Sequence, residues 1–236
     1  MVEVYLAEKE KEKQMIFKKL YILLILLLCA TNMSAQDFLS TRTVTQKSSS
    51  QGSSYSASVE FPTEGSQAVL KNVRQWIGYM LDTESNFGAD IRRQLEVSCN
   101  DFLRNASKIS REIEIEREYE DSRCVTFTAT ITDKGAETWI TEDCATFSKR
   151  DGHRLMLDEI FNCSEEDIKN LIWHYKGSTT MDVDSPADVF PMNAGFTDGW
   201  VIVTAPAYHS PATAFRLRYE EITPFLKSSA NGYYDY

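Results

Sequence analysis

Cationic charge, histidine and long apolar runs are all scarce in this 236-residue chain, and each shortage removes a class of function. Lys and Arg number 25 against 35 Asp and Glu, a formal net charge of −10. A surface short of clustered cations cannot track phosphates, so nucleic acid is not an expected partner. Histidine occurs three times, as His153, His174 and His209. None stands in an H-E-x-x-H pattern and no G-x-S-x-G elbow marks a nucleophile, so the chain is read as non-enzymatic. No two cysteines have C-x-x-C spacing, which removes the usual zinc signature, and neither a metal nor a cofactor is expected. The longest apolar run, residues 20–30, falls well short of the roughly 20 residues that cross a bilayer.

That short run instead reads as the centre of an export signal. Lys18 and Lys19 precede it and small polar residues fill positions 31–36, with cleavage expected after Ala35 or Gln36. The charged residues 1–14 lie upstream of Met15, from which a normal signal would start, and read as a start site placed too early. Cys29 follows Leu28 where a lipobox wants a small residue, so a lipoprotein is disfavoured. The expected mature protein is periplasmic or secreted, with no transmembrane anchor after cleavage. Removing residues 1–36 takes away five Lys and four Glu and leaves 20 basic and 31 acidic side chains, a net of −11. Such a surface attracts cationic proteins.

Four cysteines remain beyond the signal, Cys99, Cys124, Cys144 and Cys163, and an exported chain of this kind favours two disulfides. Asp133-Lys134-Gly135 reads as a turn between strands at 125–132 and 136–147, which sets Cys124 opposite Cys144 and leaves Cys99 for Cys163.

Residues 38–61 read as a hairpin whose second strand alternates Tyr55, Ala57, Val59 and Phe61 before Pro62 ends it. Val69, Val73, Trp76, Ile77 and Met80 fall on one helical stripe with Ser66 as N-cap, and Ile91, Leu95, Phe102, Leu103 and Ile109 suggest one or two helical pieces broken around 97–100. Strands follow at 113–119 and 125–131, extended by Trp139, Ile140 and Phe147. Asp151-Gly152 makes a tight turn, Ser164 caps a helix carrying Ile168, Leu171 and Ile172, and two strands at 200–204 and 214–219 close the domain. The class is α+β, an antiparallel sheet flanked by helices. Residues 37–226 form one domain, with hairpin and helices over 37–120 and a core region over 121–226, ahead of a loose tail at 227–236.

Three stretches of this core region resemble the RsiV-like extracytoplasmic domain of unknown function, a family shared by a lysozyme-binding anti-sigma factor and some bacterial polysaccharide deacetylases. The first is Phe147-Ser148-Lys149-Arg150-Asp151-Gly152-His153-Arg154-Leu155-Met156-Leu157-Asp158-Glu159-Ile160-Phe161. The second is Gly195-Phe196-Thr197-Asp198-Gly199-Trp200-Val201-Ile202-Val203 with Tyr208 and Pro211. The third runs from Arg216-Leu217-Arg218-Tyr219-Glu220-Glu221-Ile222 to Thr223-Pro224-Phe225-Leu226. Where many members carry a Gly-Gly-Ala-His-Gly turn, this chain has Asp133-Lys134-Gly135-Ala136-Glu137. The resemblance implies an α+β domain outside the cytoplasmic membrane that binds rather than converts, with a cationic protein such as lysozyme or cell-wall glycan as partner.

Candidate contact residues follow from charge and placement. Glu114, Glu116 and Glu118 alternate along one strand and would face one way, a landing surface for a cationic protein or a solvent edge kept from aggregating. Tyr208 and His209 lie in a proline-bounded loop where an aromatic ring can meet a ligand. His209-Ser210 lacks the context of a catalytic pair, and Asp182, Asp184 and Asp188 lack the Gly and Glu of a calcium loop. The leading expectation is therefore an exported, sensor-like binding protein, with a periplasmic hydrolase and a structural envelope component as alternatives.

Overall fold

The computed structural model describes residues 38–83, 90–175, 185–207 and 210–227. The expected signal at 1–36, the tail from 228, and Tyr208 and His209 lie outside the described residues.

The first hairpin forms as the alternation dictates. β1 (Ser40–Ser50) pairs antiparallel with β2 (Ser53–Glu64), joined by Gln51-Gly52 with φ of 52° and 82°, the two-residue turn whose twist matches that of paired strands. Tyr55, Ala57, Val59 and Phe61 bury their side chains while the intervening serines stay half-exposed.

α1 (Gln67–Met80) starts at Ser66, whose Oγ accepts from Val69 N, and its stripe of Val69, Val73, Trp76 and Ile77 is buried. α2 (Ile91–Asn105) is one unbroken helix, not two pieces. Cys99 and Asn100 are indifferent helix formers, but Ile91, Leu95, Ser98 and Cys99 are buried along one face and that packing overrides propensity. Asp90 caps it, accepting from Arg93 N at 3.1 Å.

The two helices carry the chain back, so β3 (Ser110–Glu120) joins β2 in parallel. β4 (Cys124–Lys134) and β5 (Thr138–Ser148) complete a five-stranded sheet in the order β1-β2-β3-β4-β5, antiparallel at every junction but β2/β3. The α+β class is as expected, with a mixed sheet in place of an antiparallel one. Both helices cover one face of this sheet, enclosing Val59, Phe61, Ile113, Ile115, Phe127 and Phe147.

A second sheet of β6 (Asn193–Thr197), β7 (Trp200–Ala207) and β8 (Ser210–Arg218) packs against β4 and β5 on the face away from α1 and α2. Gly195 makes the close approach: a Cβ there would stand 2.7 Å from Thr126 Cγ2 and 3.0 Å from Thr146 Oγ1. Phe196, Val201, Val203, Phe215 and Leu217 form a second core with Ile160 and with Ile168 and Ile172 of α3 (Glu165–Tyr175). Among the described residues no helix is long and apolar enough to cross a membrane.

The start of the described chain is pinned to the first sheet. Leu39 N donates to Glu120 Oε1 at 2.6 Å and Arg117 Nη1 donates to Leu39 O at 2.7 Å. Lys149 Nζ lies 2.7 Å from Glu120 Oε1 and 4.8 Å from the Phe38 ring centroid, so a largely buried charge pair closes this corner.

Candidate binding surfaces

The carboxylates of β3 do not act as one row. Ile113 and Ile115 point into the helix-side core, which sends Glu112, Glu114 and Glu116 to the opposite face, where all three are exposed. Ser56 and Ser58 flank them from β2, and Thr132, Thr130 and Thr128 from β4, so they stand on a polar strip. A β-bulge between Arg117 and Tyr119 then breaks the register. Glu118, the extra residue of that bulge, accepts from Thr197 Oγ1 at 3.2 Å and lies 3.8 Å from Arg216 Nη2, drawn into the contact between sheets. Of the three glutamates singled out, two stay open and Glu118 is engaged. Partial burial raises the Glu116 carboxyl above its usual range, and the nearby Glu114, Glu118 and Glu60 add like charge.

A second concavity has no counterpart in the sequence reading. On the helix side of the first sheet, Tyr55, Arg111, Asp133 and Trp139 follow one another across β2, β3, β4 and β5. Tyr55 is buried, donates to Ser98 Oγ at 3.0 Å, and is pushed up to about 12 by that burial. Arg111 grips Asp133 through two bonds, Nε to Oδ1 at 2.8 Å and Nη2 to Oδ2 at 2.7 Å, and lies under the Phe102 ring at 4.8 Å. The helices stop short of the β5 end of this row, leaving Trp139 49% exposed on the wall of an open cleft of about 980 Å³. The end of α2 and residues 106–109 form the facing wall.

Asp143 ties three elements together. Its carboxylate accepts from Trp76 Nε1 at 3.3 Å, Asn193 Nδ2 at 2.7 Å, Thr204 Oγ1 at 3.2 Å and Cys144 N at 2.8 Å, with Arg154 Nη2 3.6 Å away. These partners come from α1, β6 and β7, so the group fastens the second sheet to the first.

His153 sits between two carboxylates, Nδ1 2.5 Å from Asp151 Oδ1 and Nε2 3.0 Å from Glu159 Oε1. The Asp151 contact, and secondarily Glu159, raise its pKa above the ordinary imidazole value, while the bond from His153 holds Asp151 down to about 2. A raised histidine stabilises the fold fully below its unfolded pKa of about 6.5 and loses that contribution as pH rises through the folded value. The Asp151 contribution runs the other way, present above its unfolded pKa and lost as pH falls through about 2. Both side chains are well exposed, so the effect is screened. Melting scans of wild type and His153→Gln are expected to diverge by about 1–2 °C at pH 6 and to draw together as pH rises through the raised folded value. A constant gap would show that ionisation of this residue plays no part. His174 stands on α3 with its ring edge-on to Tyr175 at 5.1 Å, and Tyr175 bonds Glu221.

The expected disulfides are absent: Cys99, Cys124, Cys144 and Cys163 are all free thiols. The β4–β5 hairpin exists, but it turns about Ala136 with Lys134 opposite Thr138, two residues later than the sequence suggested. That offset moves every partner by four, so Cys124 faces Ser148 and Cys144 faces Thr128. Cys99 lies in the first core and Cys163 packs against the second, which separates the other expected pair as well. Burial raises the thiol pKa of Cys124 and Cys144 well above the ordinary cysteine value. Among the described residues no three His, Cys, Asp or Glu side chains group as a metal site. Asp188 caps a short helical turn by accepting from Ser185 N at 3.1 Å, and Asp182 and Asp184 lie outside the described residues.

No protein-family model and no curated protein matches the sequence. Solved structures do match. A crystal structure of a member of the DUF3298 family from Bacteroides fragilis aligns with a TM-score of 0.58 and 11% identity, covering 81% of this chain and 94% of that one. A DUF3298 family protein from Pseudomonas aeruginosa aligns with a TM-score of 0.51 and 12% identity, covering 83% of this chain and 97% of that one. At such identities the likeness is one of architecture, and the α+β fold of this chain is the fold of these DUF3298 structures.

Proposed function

We propose that the chain is an exported, non-catalytic binding module of the periplasm or cell exterior, sensor-like in kind, whose β3 face meets a cationic protein of the lysozyme type. The observation that carries this reading is the exposed line of Glu112, Glu114 and Glu116 on a half-exposed Ser/Thr strip, Glu112 lying 3.5 Å from Lys134 Nζ at its edge. The resemblance of residues 125–226 to RsiV-like domains and the acidity of the chain support it. Carboxylates spaced along a strand attract a cationic surface over a Debye length of about 10 Å at 0.1 M salt, so the contact is ionic-strength dependent.

The test is a pull-down against a cationic muramidase across a salt series. Retention at low salt, declining as salt rises, is expected, with about tenfold weaker binding for the Glu112→Gln/Glu114→Gln/Glu116→Gln variant. All three side chains are exposed, so that variant is expected to fold as wild type. Absence of binding at low salt would remove the reading.

A further inference from the structure

The corner that α1 and α2 leave uncovered combines three features. One is an indole half-exposed on a strand, when the chain's Trp76 is only 4% exposed. The second is a floor already neutral in charge, because Arg111 and Asp133 are joined by two hydrogen bonds. The third is an open volume of about 980 Å³, at the upper end of the roughly 300–1,000 Å³ of small-molecule sites.

We propose that this cleft is a saccharide-binding site, in which a pyranose ring of a neutral or N-acetylated glycan lies against the Trp139 indole. A pyranose ring has an apolar face of C–H groups and a perimeter of hydroxyls, so it needs an aromatic plane on one side and paired donors and acceptors at its edge. Trp139 supplies the plane. The Arg111–Asp133 fork spends Nε and Nη2 and leaves Nη1 without a bond among the described residues, while each Asp133 oxygen accepts one bond from Arg111 and has capacity for another. Adjacent donor and acceptor groups of this kind bind vicinal hydroxyls. Asn105 adds an amide oxygen on the facing wall, its Nδ2 being used on Asp101 O at 2.9 Å.

The charge pattern argues against a strongly charged occupant. Asp101 lies 3.4 Å from Arg104 and Asp133 is paired with Arg111, so that Asp82, Glu137 and Lys108 leave the lining with only a small negative excess. The cleft lies on the helix side of the sheet, away from Glu112, Glu114 and Glu116, so this inference stands apart from the protein-binding reading and the two can fail separately.

The test is isothermal titration and saturation-transfer NMR of the whole protein with chitotetraose, with cellotetraose, and with tetralysine. Saturable binding of at least one oligosaccharide at low-millimolar concentration or better is expected. Trp139→Ala is expected to weaken it at least tenfold, Trp139→Tyr to retain most of it, and Asp133→Asn to weaken it several-fold. The Glu112→Gln/Glu114→Gln/Glu116→Gln variant is expected to bind the sugar as wild type does. Since Trp139 is half-exposed, an unchanged circular dichroism spectrum and melting temperature will certify the Trp139→Ala fold. Failure of both oligosaccharides to saturate, or equal affinity in Trp139→Ala, overturns the proposal. Binding of tetralysine that depends on Trp139, with no sugar binding, overturns it in favour of a cationic side chain as occupant.

Discussion

Gly152→Ala is expected to destabilise the protein by about 3 kcal/mol or more, the largest loss from a Gly→Ala change among the described glycines. Two causes act together. Gly152 has φ of 77°, where an L side chain is strained. A Cβ would also lie 2.4 Å from Ala68 C, 2.6 Å from Ala68 O and 2.7 Å from Val69 N, all of them backbone atoms of the start of α1. Backbone cannot rotate aside as a side chain can. The turn is held from both directions, with Gly152 N donating to Ser148 O at 2.8 Å and Asn72 Nδ2 donating to Gly152 O at 2.7 Å. Gly199 is the internal control. Its φ is 74°, yet a Cβ there meets nothing within 4 Å, so Gly199→Ala isolates strain at about 1 kcal/mol. Urea denaturation of both variants measures the difference, and equal losses would show that the contact with α1 carries no energy.

Asp143→Ala is expected to cost about 3 kcal/mol, because it removes one acceptor and strands several donors. Trp76 Nε1, Asn193 Nδ2 and Thr204 Oγ1 would all lose their partner, and the Asp143 side chain is only 15% exposed, so water replaces it poorly. Asp143→Asn keeps the shape but turns one acceptor into a donor facing donors, and an intermediate loss is expected. Thermal unfolding within about 0.5 kcal/mol of wild type for Asp143→Ala would show that the carboxylate is a bystander in joining the sheets.

Much of the architecture was legible because it is periodic. Alternation at Tyr55, Ala57, Val59 and Phe61 and the stripe through Val69, Val73, Trp76 and Ile77 become the buried faces of β2 and α1. What failed to show depends on counting or on distance. The β4–β5 turn displaced by two residues separates Cys124 from Cys144, since a hairpin doubles any error in its centre. Glu118 is the extra residue of the bulge after Arg117 and meets Thr197 and Arg216 of the second sheet, whereas Glu114 and Glu116 stay exposed, and nothing in Glu-x-Glu alternation announces either fact. Asp143 could not be recognised as a junction because the side chains that hydrogen-bond to it stand 50 to 67 positions away. Trp139 looked like any strand aromatic; its exposure is decided by where two helices from another part of the chain come to an end.

The glycine at the centre of β6 makes docking of the second sheet all-or-none. Asn193 to Asp143, Phe196 N to Thr126 Oγ1 at 3.2 Å and Thr197 to Glu118 form three notches along a five-residue strand, with the one residue lacking a side chain between the first and second. Sliding by a single position would drive the Phe196 ring into a gap sized for hydrogen and break all three notches at once. The strand therefore acts as a key that turns in one setting, and no staggered arrangement of the two sheets can accumulate beside the native one.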